Sequence, residues 1–234
     1  MYIDLLSGVT DKDSPAFNLY HPLKDFLLEK TNKTVFIDLE TYTRNGRFLN
    51  NERILAIGLL EYSSSRCLPL VLKNNNESEK RLLSRFSEHL DKIEPDVVVG
   101  YGIRYYDIPL LSQKYMLYRK VLSLNGLRDM LNTSLIVDLA PFCRYDNSYR
   151  GLKDIIVSNP DIFGKDCAEL KQASEKRDSK PSQKSRLKRH SGWSEKKARW
   201  IYDTWRKNRR KFIKYVECDV KACRELYKQL LGEL

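Results

Sequence analysis

Carboxylates recur in three separated patches of this 234-residue chain, each joined to an apolar or aromatic run. They are Asp38 and Glu40 in FIDLET, Asp107 in GYGIRYYDIPLL and Asp219 in YVECD. A lone charge in such surroundings is costly to bury. The cost falls if the acids converge on divalent cations, and such convergence is what metal-assisted cleavage of a phosphodiester needs. Two carboxylates two apart on a strand project in parallel, so Asp38 and Glu40 can share one cation. Hard oxygen ligands suit Mg²⁺ or Mn²⁺ rather than zinc.

The elements that must position these acids are legible from patterning. Thr34–Glu40 alternates as a strand, with Val35, Ile37 and Leu39 on one face and Asp38 and Glu40 on the other beside Phe36. Arg53–Tyr62 and Cys67–Lys73 read as the next strands, with Asn45-Gly46 a hairpin signal between the first two. Glu77–Ile93 is an amphipathic helix carrying Leu82, Leu83, Phe86 and Leu90 on one side. Pro95–Gly100 is a buried strand, and Asp107 opens the helix that runs to Tyr118. Asp107 therefore reads either as a helix N-cap or as a site residue just past a strand's carboxyl end. Ser134–Leu139 is the fifth strand, and Asp138 near its end is either an acid set behind the site or a strand-end polar residue. On the final helix, about Asn208 to Leu231, Tyr215 and Asp219 are spaced i,i+4 and share a face. They read either as a boundary pair or as a metal ligand with a tyrosine that aligns the attacking water.

Taken together and in this order, FIDLET, GYGIRYYDIPLL and YVECD resemble the three exonuclease motifs of the DEDD superfamily. The likeness is closest to the 3′–5′ exonuclease domain of family B DNA polymerases. It runs from about Thr34 to the C-terminus, and the chain resembles a free-standing exonuclease of this type. The resemblance implies an α/β, RNase H-like fold with a mixed central sheet flanked by helices. Residues 1–33 would be an N-terminal extension and residues 34–234 the exonuclease domain, with a basic insertion at about 165–210.

The resemblance also implies a two-metal site of Mg²⁺ or Mn²⁺. Asp38, Glu40 and Asp219 would hold the ion that activates water. Asp38 would bridge to the second ion, and Asp107 would act on it through a water. Tyr215 marks the tyrosine branch. The histidine branch places its His where this chain has Lys214, and His21, His89 and His190 lie in no motif. The second motif departs from the family at two positions: Gly102 stands where relatives have Asn, and Tyr106 where they have Phe. The Asn that Gly102 replaces contacts the substrate strand in relatives. Thr41 either matches a position that lines the terminal-nucleotide pocket or is a plain turn residue, and Tyr106 is a further candidate substrate residue.

The charge balance points to a polyanionic substrate. The chain has 42 Lys and Arg against 31 Asp and Glu, a net charge of +11. Between Lys165 and Lys214 there are 18 basic and 6 acidic residues, against 24 and 25 elsewhere. An excess gathered into one segment reads as a phosphate footprint. Ser174–Gly192 is nearly devoid of apolar residues and reads as a loop, carrying Lys184, Arg186, Lys188 and Arg189 as candidate contacts. Trp193–Arg210 resumes helical patterning. Aromatics interleaved with cations can stack on bases; here most of the tryptophans are assigned to the core and Arg206, Arg209 and Arg210 to phosphates.

Five cysteines without a C-x-x-C pair argue against zinc and against a disulfide framework, and reduced thiols fit an intracellular protein, cytoplasmic or nuclear. No apolar run approaches membrane length, and the first residues lack a signal peptide's basic lead and apolar core. The expected function is 3′–5′ exonuclease action on single-stranded nucleic acid with a free 3′ end, DNA favoured, releasing nucleoside 5′-monophosphates. Proofreading, DNA repair and 3′-end trimming are all tasks open to such an enzyme. The alternative is a catalytically weak or inactive nucleic-acid-binding module in a larger processing assembly.

Overall fold

The computed structural model describes residues 24–42, 52–73, 78–145, 148–149, 151–174 and 195–232. Five strands form the central sheet: β1 (Thr34–Tyr42), β2 (Arg53–Glu61), β3 (Leu68–Val71), β4 (Val97–Gly100) and β5 (Leu135–Asp138), in the order β3-β2-β1-β4-β5. β1 and β2, and β2 and β3, run antiparallel; β1 and β4, and β4 and β5, run parallel. This mixed sheet with helices on both faces is the α/β, RNase H-like arrangement that the motifs imply.

Alternation along β1 divides the core. Val35, Ile37 and Leu39 join one buried cluster with Leu82, Phe86 and Leu90 of α1 (Glu79–Ile93) and Leu110 and Leu111 of α2 (Asp107–Tyr118). Helix α3 (Asn125–Thr133) packs against α1 and adds Leu127 and Met130. Phe36 lies on the other face, in a cluster with Val97, Val99 and, from the long C-terminal helix, Val220, Leu226 and Tyr227. Residues 24–33, which the sequence places in an extension, pack onto this second cluster through buried Leu27.

Beyond β5 come the short hairpin β6 (Arg144–Tyr145) and β7 (Ser148–Tyr149), then α4 (Leu152–Ser158), α5 (Pro160–Phe163) and α6 (Lys165–Ala173). Helices α7 (Glu195–Lys207) and α8 (Arg209–Leu231) follow. The α8 boundary falls where the sequence sets it, because the Asn208 side chain accepts a hydrogen bond from Lys211 N–H at 3.1 Å. Ser78 caps α1 in the same way, which starts that helix two residues later than its apolar pattern suggests. The Asn45-Gly46 hairpin signal lies outside the described residues.

Helix α8 crosses the sheet at close range because Gly58 of β2 has no side chain. A Cβ at that position would sit 2.7 Å from Val220 Cγ1 and 3.0 Å from Val216 Cγ1. Gly58 is the β2 partner of Asp38. The helix thus comes closest to the sheet beside the first acid.

Candidate active site

β1 delivers Asp38 and Glu40 on the Phe36 face, towards α8, and α8 presents Tyr215 and Asp219 one turn apart. Asp38, Glu40 and Asp219 each bring a carboxylate oxygen to within 4.8 Å of the others. Asp38 Oδ2 is buried without a hydrogen-bond partner. An orphaned buried carboxylate oxygen among two more acids fits a hard divalent cation, and the all-oxygen donor set suits Mg²⁺ or Mn²⁺. Burial pushes the Asp38 carboxyl well above its usual range; Asp219, Glu40 and Asp107 push it the same way, while Lys171 opposes them.

Asp107 sits at the first position of α2, whose N-cap residue is Tyr106, so the acid is not the N-cap. Its Oδ1 accepts the Leu39 N–H at 2.9 Å, which ties the second motif to the strand carrying the first. Burial raises its carboxyl to about 7, against hydrogen bonds that lower it. Tyr215 is 1% exposed. Burial, then Glu40, Asp219 and Asp38, hold its phenol well above its ordinary pKa, so the hydroxyl stays protonated. Trp200 backs the ring, with centroids 5.0 Å apart.

Two features escaped the sequence. The first is Lys171 of α6. It is 1% exposed, and its ammonium donates to Asp219 Oδ2 while lying 3.1 Å from the centroid of the Tyr215 ring. Its one sequence signal is a lysine at a core position of an amphipathic helix. The second is a disulfide between Cys167 of α6 and Cys218, the neighbour of Asp219. This corrects the expectation of free thiols alone. Local C-x-x-C spacing says nothing about cysteines 51 residues apart that helix packing brings to a Cα–Cα distance of 5.8 Å. Cys67, Cys143 and Cys223 are free and buried.

Asp138 proves to organise the second-motif turn. Its Oδ1 accepts Gly102 N–H at 2.7 Å and Ala140 N–H at 3.0 Å, and its Oδ2 accepts Arg104 N–H at 3.2 Å. Gly102 has φ +73°, a left-handed conformation that Gly and Asn tolerate best, which accounts for Gly where Asn is usual.

The expected substrate residues divide. A register shift between Glu40 and Thr41 ends the regular pairing of β1 with β2. Thr41 is fully buried, and its hydroxyl lies 2.6 Å from Tyr106 OH, which in turn donates to Glu52 at 2.8 Å. These two hydroxyls therefore serve the protein interior and set the shape of the strand end. Arg209 is also committed to the protein, donating to the carbonyls of Lys73 at 3.0 Å and Val71 at 3.2 Å. Arg206 and Arg210 are exposed, with Arg206 5.8 Å from the Tyr202 ring centroid. Trp200 and Trp205 are buried, and Trp205 Nε1 donates to Leu72 O at 2.9 Å. Lys184, Arg186, Lys188 and Arg189 lie outside the described residues. Among the described residues no helix is long and apolar enough to cross a membrane.

Residues 31–136 match the family described as DNA polymerase family B, exonuclease domain. That stretch contains Asp38, Glu40 and Asp107, while Tyr215 and Asp219 follow it. No curated protein matches the chain. Among solved structures, the chain is similar to the family B DNA polymerase of the hyperthermophilic archaeon Pyrobaculum calidifontis, with a TM-score of 0.57 and 16% identity. The similarity covers 85% of this chain and 24% of that polymerase, so the chain spans about a quarter of the polymerase's length. Residues 31–136 are thus similar to the exonuclease domain of family B DNA polymerases, and the fold over most of the chain is similar to part of such a polymerase.

Proposed function

We propose that this chain is a metal-dependent 3′–5′ exonuclease that shortens single-stranded DNA from a free 3′ end and releases nucleoside 5′-monophosphates. The observation that carries the reading is the approach of Asp38, Glu40 and Asp219 oxygens to within 4.8 Å, with Asp38 Oδ2 buried and unpartnered. Nucleic acid as the substrate is supported by the family match and by the basic excess between Lys165 and Lys214.

In this reading Asp38, Glu40 and Asp219 would hold a divalent ion, and Asp38 with Asp107 would serve a second. Two Mg²⁺ or Mn²⁺ ions, when bound, supply Lewis acidity towards water and neutralise charge at the scissile phosphate. The Tyr215 hydroxyl, kept protonated, acts as a hydrogen-bond donor that orients the attacking water rather than as a base. Attack of the water oxygen on phosphorus then breaks the bond to the 3′-oxygen of the preceding nucleotide. The incoming oxygen stays on the released 5′-phosphate, the water gives up a proton to solvent, and the 3′-oxygen takes one up to become the new terminal hydroxyl. Asp107, fixed through the Leu39 N–H, keeps the second-motif acid in register with β1.

One observation favours a second reading, a nucleic-acid-binding module of low activity: the Lys171 ammonium already sits on Asp219. A single experiment separates the two. Single-stranded DNA and RNA of one sequence, labelled at the 5′ end, are incubated with Mg²⁺, Mn²⁺ or EDTA and either wild type or Asp219→Asn. A ladder that shortens from the 3′ end, requires metal and vanishes in the variant is expected. Salt-sensitive binding without cleavage would sink the exonuclease reading in favour of the binding module.

A further inference from the structure

Lys171 is an ionisable group in the candidate site for which the proposed reaction gives no role. Its stem and ammonium are buried at 1% exposure, an arrangement that costs free energy unless the charge is paired. The pairing is with the acids proposed to hold metal. The ammonium donates to Asp219 Oδ2, lies 3.5 Å from Tyr215 O and stands over the Tyr215 ring. Its placement is set covalently as well. Cys167 lies one helical turn before Lys171 on the same face of α6, and its disulfide reaches Cys218, next to Asp219. Ser174 Oγ donates to Lys171 O at 2.7 Å and finishes the turn.

We infer that Lys171 is a positioning residue that acts as a resident counter-cation, stapled against Asp219, and that its charge lowers the affinity of the carboxylate cluster for divalent metal. The inference rests on the metal reading of the site. The physical basis is charge: an ammonium in contact with one ligand repels a second cation drawn to the same three acids. At this depth water screens that repulsion only partly. The ammonium also orders Asp219 when no metal is bound, at the cost of weaker capture of the metal. A purely structural lysine would leave the metal equilibrium unmoved, which separates the two roles.

The test is Mn²⁺ binding by calorimetry to wild type, Lys171→Met and Lys171→Arg, with circular dichroism in EDTA to confirm that each is folded. The Met variant is expected to bind the first Mn²⁺ at least about tenfold more tightly, from loss of the neighbouring charge. Lys171→Arg keeps the charge and is expected to stay within about threefold of wild type by the same rule. If Lys171→Met does not fold, Lys171→Gln takes its place. Equal or weaker Mn²⁺ binding by the neutral variants would overturn the inference while leaving the metal site standing. No Mn²⁺ binding by any of the proteins would overturn both.

Discussion

Replacing Asp38 with Asn should make the metal-free protein more stable and abolish the proposed exonuclease activity. At 4.8 Å and an effective dielectric of about 20, two ionised carboxylates repel by about 3.5 kcal/mol. Asp38 faces Glu40, Asp219 and Asp107, and the cluster escapes part of the repulsion by holding protons and by contact with Lys171. The residue also buries Oδ2 without a partner. After discounting for protonation and the ammonium, a net gain of about 1–2 kcal/mol remains for the isosteric neutral side chain. For a chain of this length that corresponds to a rise in Tm of roughly 2–8 °C in EDTA. Added Mn²⁺ should stabilise wild type more than the variant, because ligand binding stabilises only as far as it favours the native state. Exonuclease activity on labelled single-stranded DNA should fall by more than about 10³-fold, beyond the loss expected for one transition-state contact. The assays are thermal unfolding with and without Mn²⁺, and the 3′-shortening ladder. A variant that unfolds at lower temperature in EDTA would show that Asp38 is a satisfied structural acid, and the reasoning would be wrong.

Tyr215→Phe removes the protonated hydroxyl but no carboxylate, so kcat should fall about 10–100-fold while Mn²⁺ affinity, read by calorimetry, stays within about twofold. Asp138→Ala strands the N–H groups of Gly102, Arg104 and Ala140, at a cost of about 2–3 kcal/mol in urea unfolding, and should weaken single-stranded DNA binding more than Mn²⁺ binding. Gly58→Ala drives a methyl group into Val220 and Val216 and should cost about 1–3 kcal/mol. It also displaces the helix that carries Asp219, lowering activity by more than about tenfold, and adding Val220→Ala should recover much of the loss. Cys167→Ser opens a crosslink between residues 51 apart, worth about 4 kcal/mol in a chain-entropy account. Its urea midpoint should match that of reduced wild type, and a midpoint equal to oxidised wild type would contradict the crosslink.

The parts of the site legible in sequence are those where a local period fixes a direction. Two acids two apart on a strand, and a tyrosine and an acid four apart on a helix, declare a shared face by spacing alone. The sheet is legible for the same reason, since the apolar alternation of β1 and the three successive valines of β4 admit few other placements. What stays hidden depends on contacts between distant segments. Lys171 looks like one cation among many in a basic stretch; its core position on a short amphipathic helix is a weak signal, and the packing of α6 on α8 is what shows the burial. Cys167 and Cys218 announce nothing by spacing. Asp138 has the appearance of a strand-end polar residue until the turn after β4 folds back over it. Arg209 reads as a phosphate contact because basic residues cluster around it, whereas its planar fork of donors is taken by two carbonyls at the end of β3.

The acids are held together by parts of the fold that bear no charge. β1 presents Asp38 and Glu40 on one face and packs Val35, Ile37 and Leu39 into the core on the other. The same strand donates the Leu39 N–H to Asp107, and its last residues connect Thr41 to Tyr106 and Glu52. The helix bearing Asp219 lies over Gly58, with Phe212, Val216, Val220 and Cys223 buried beneath it. A surface pair of carboxylates would relieve its repulsion by rotating into water. Here the strand cannot turn without exposing core residues, and the helix is stapled through Cys218. The repulsion can then be relieved only by a positive charge: a proton, an ammonium or a metal ion. The raised carboxyls of Asp38 and Asp107 use the first, and Lys171 supplies the second. Neither gives Asp38 Oδ2 a hydrogen-bond partner, and the proposed metal ion would meet that demand.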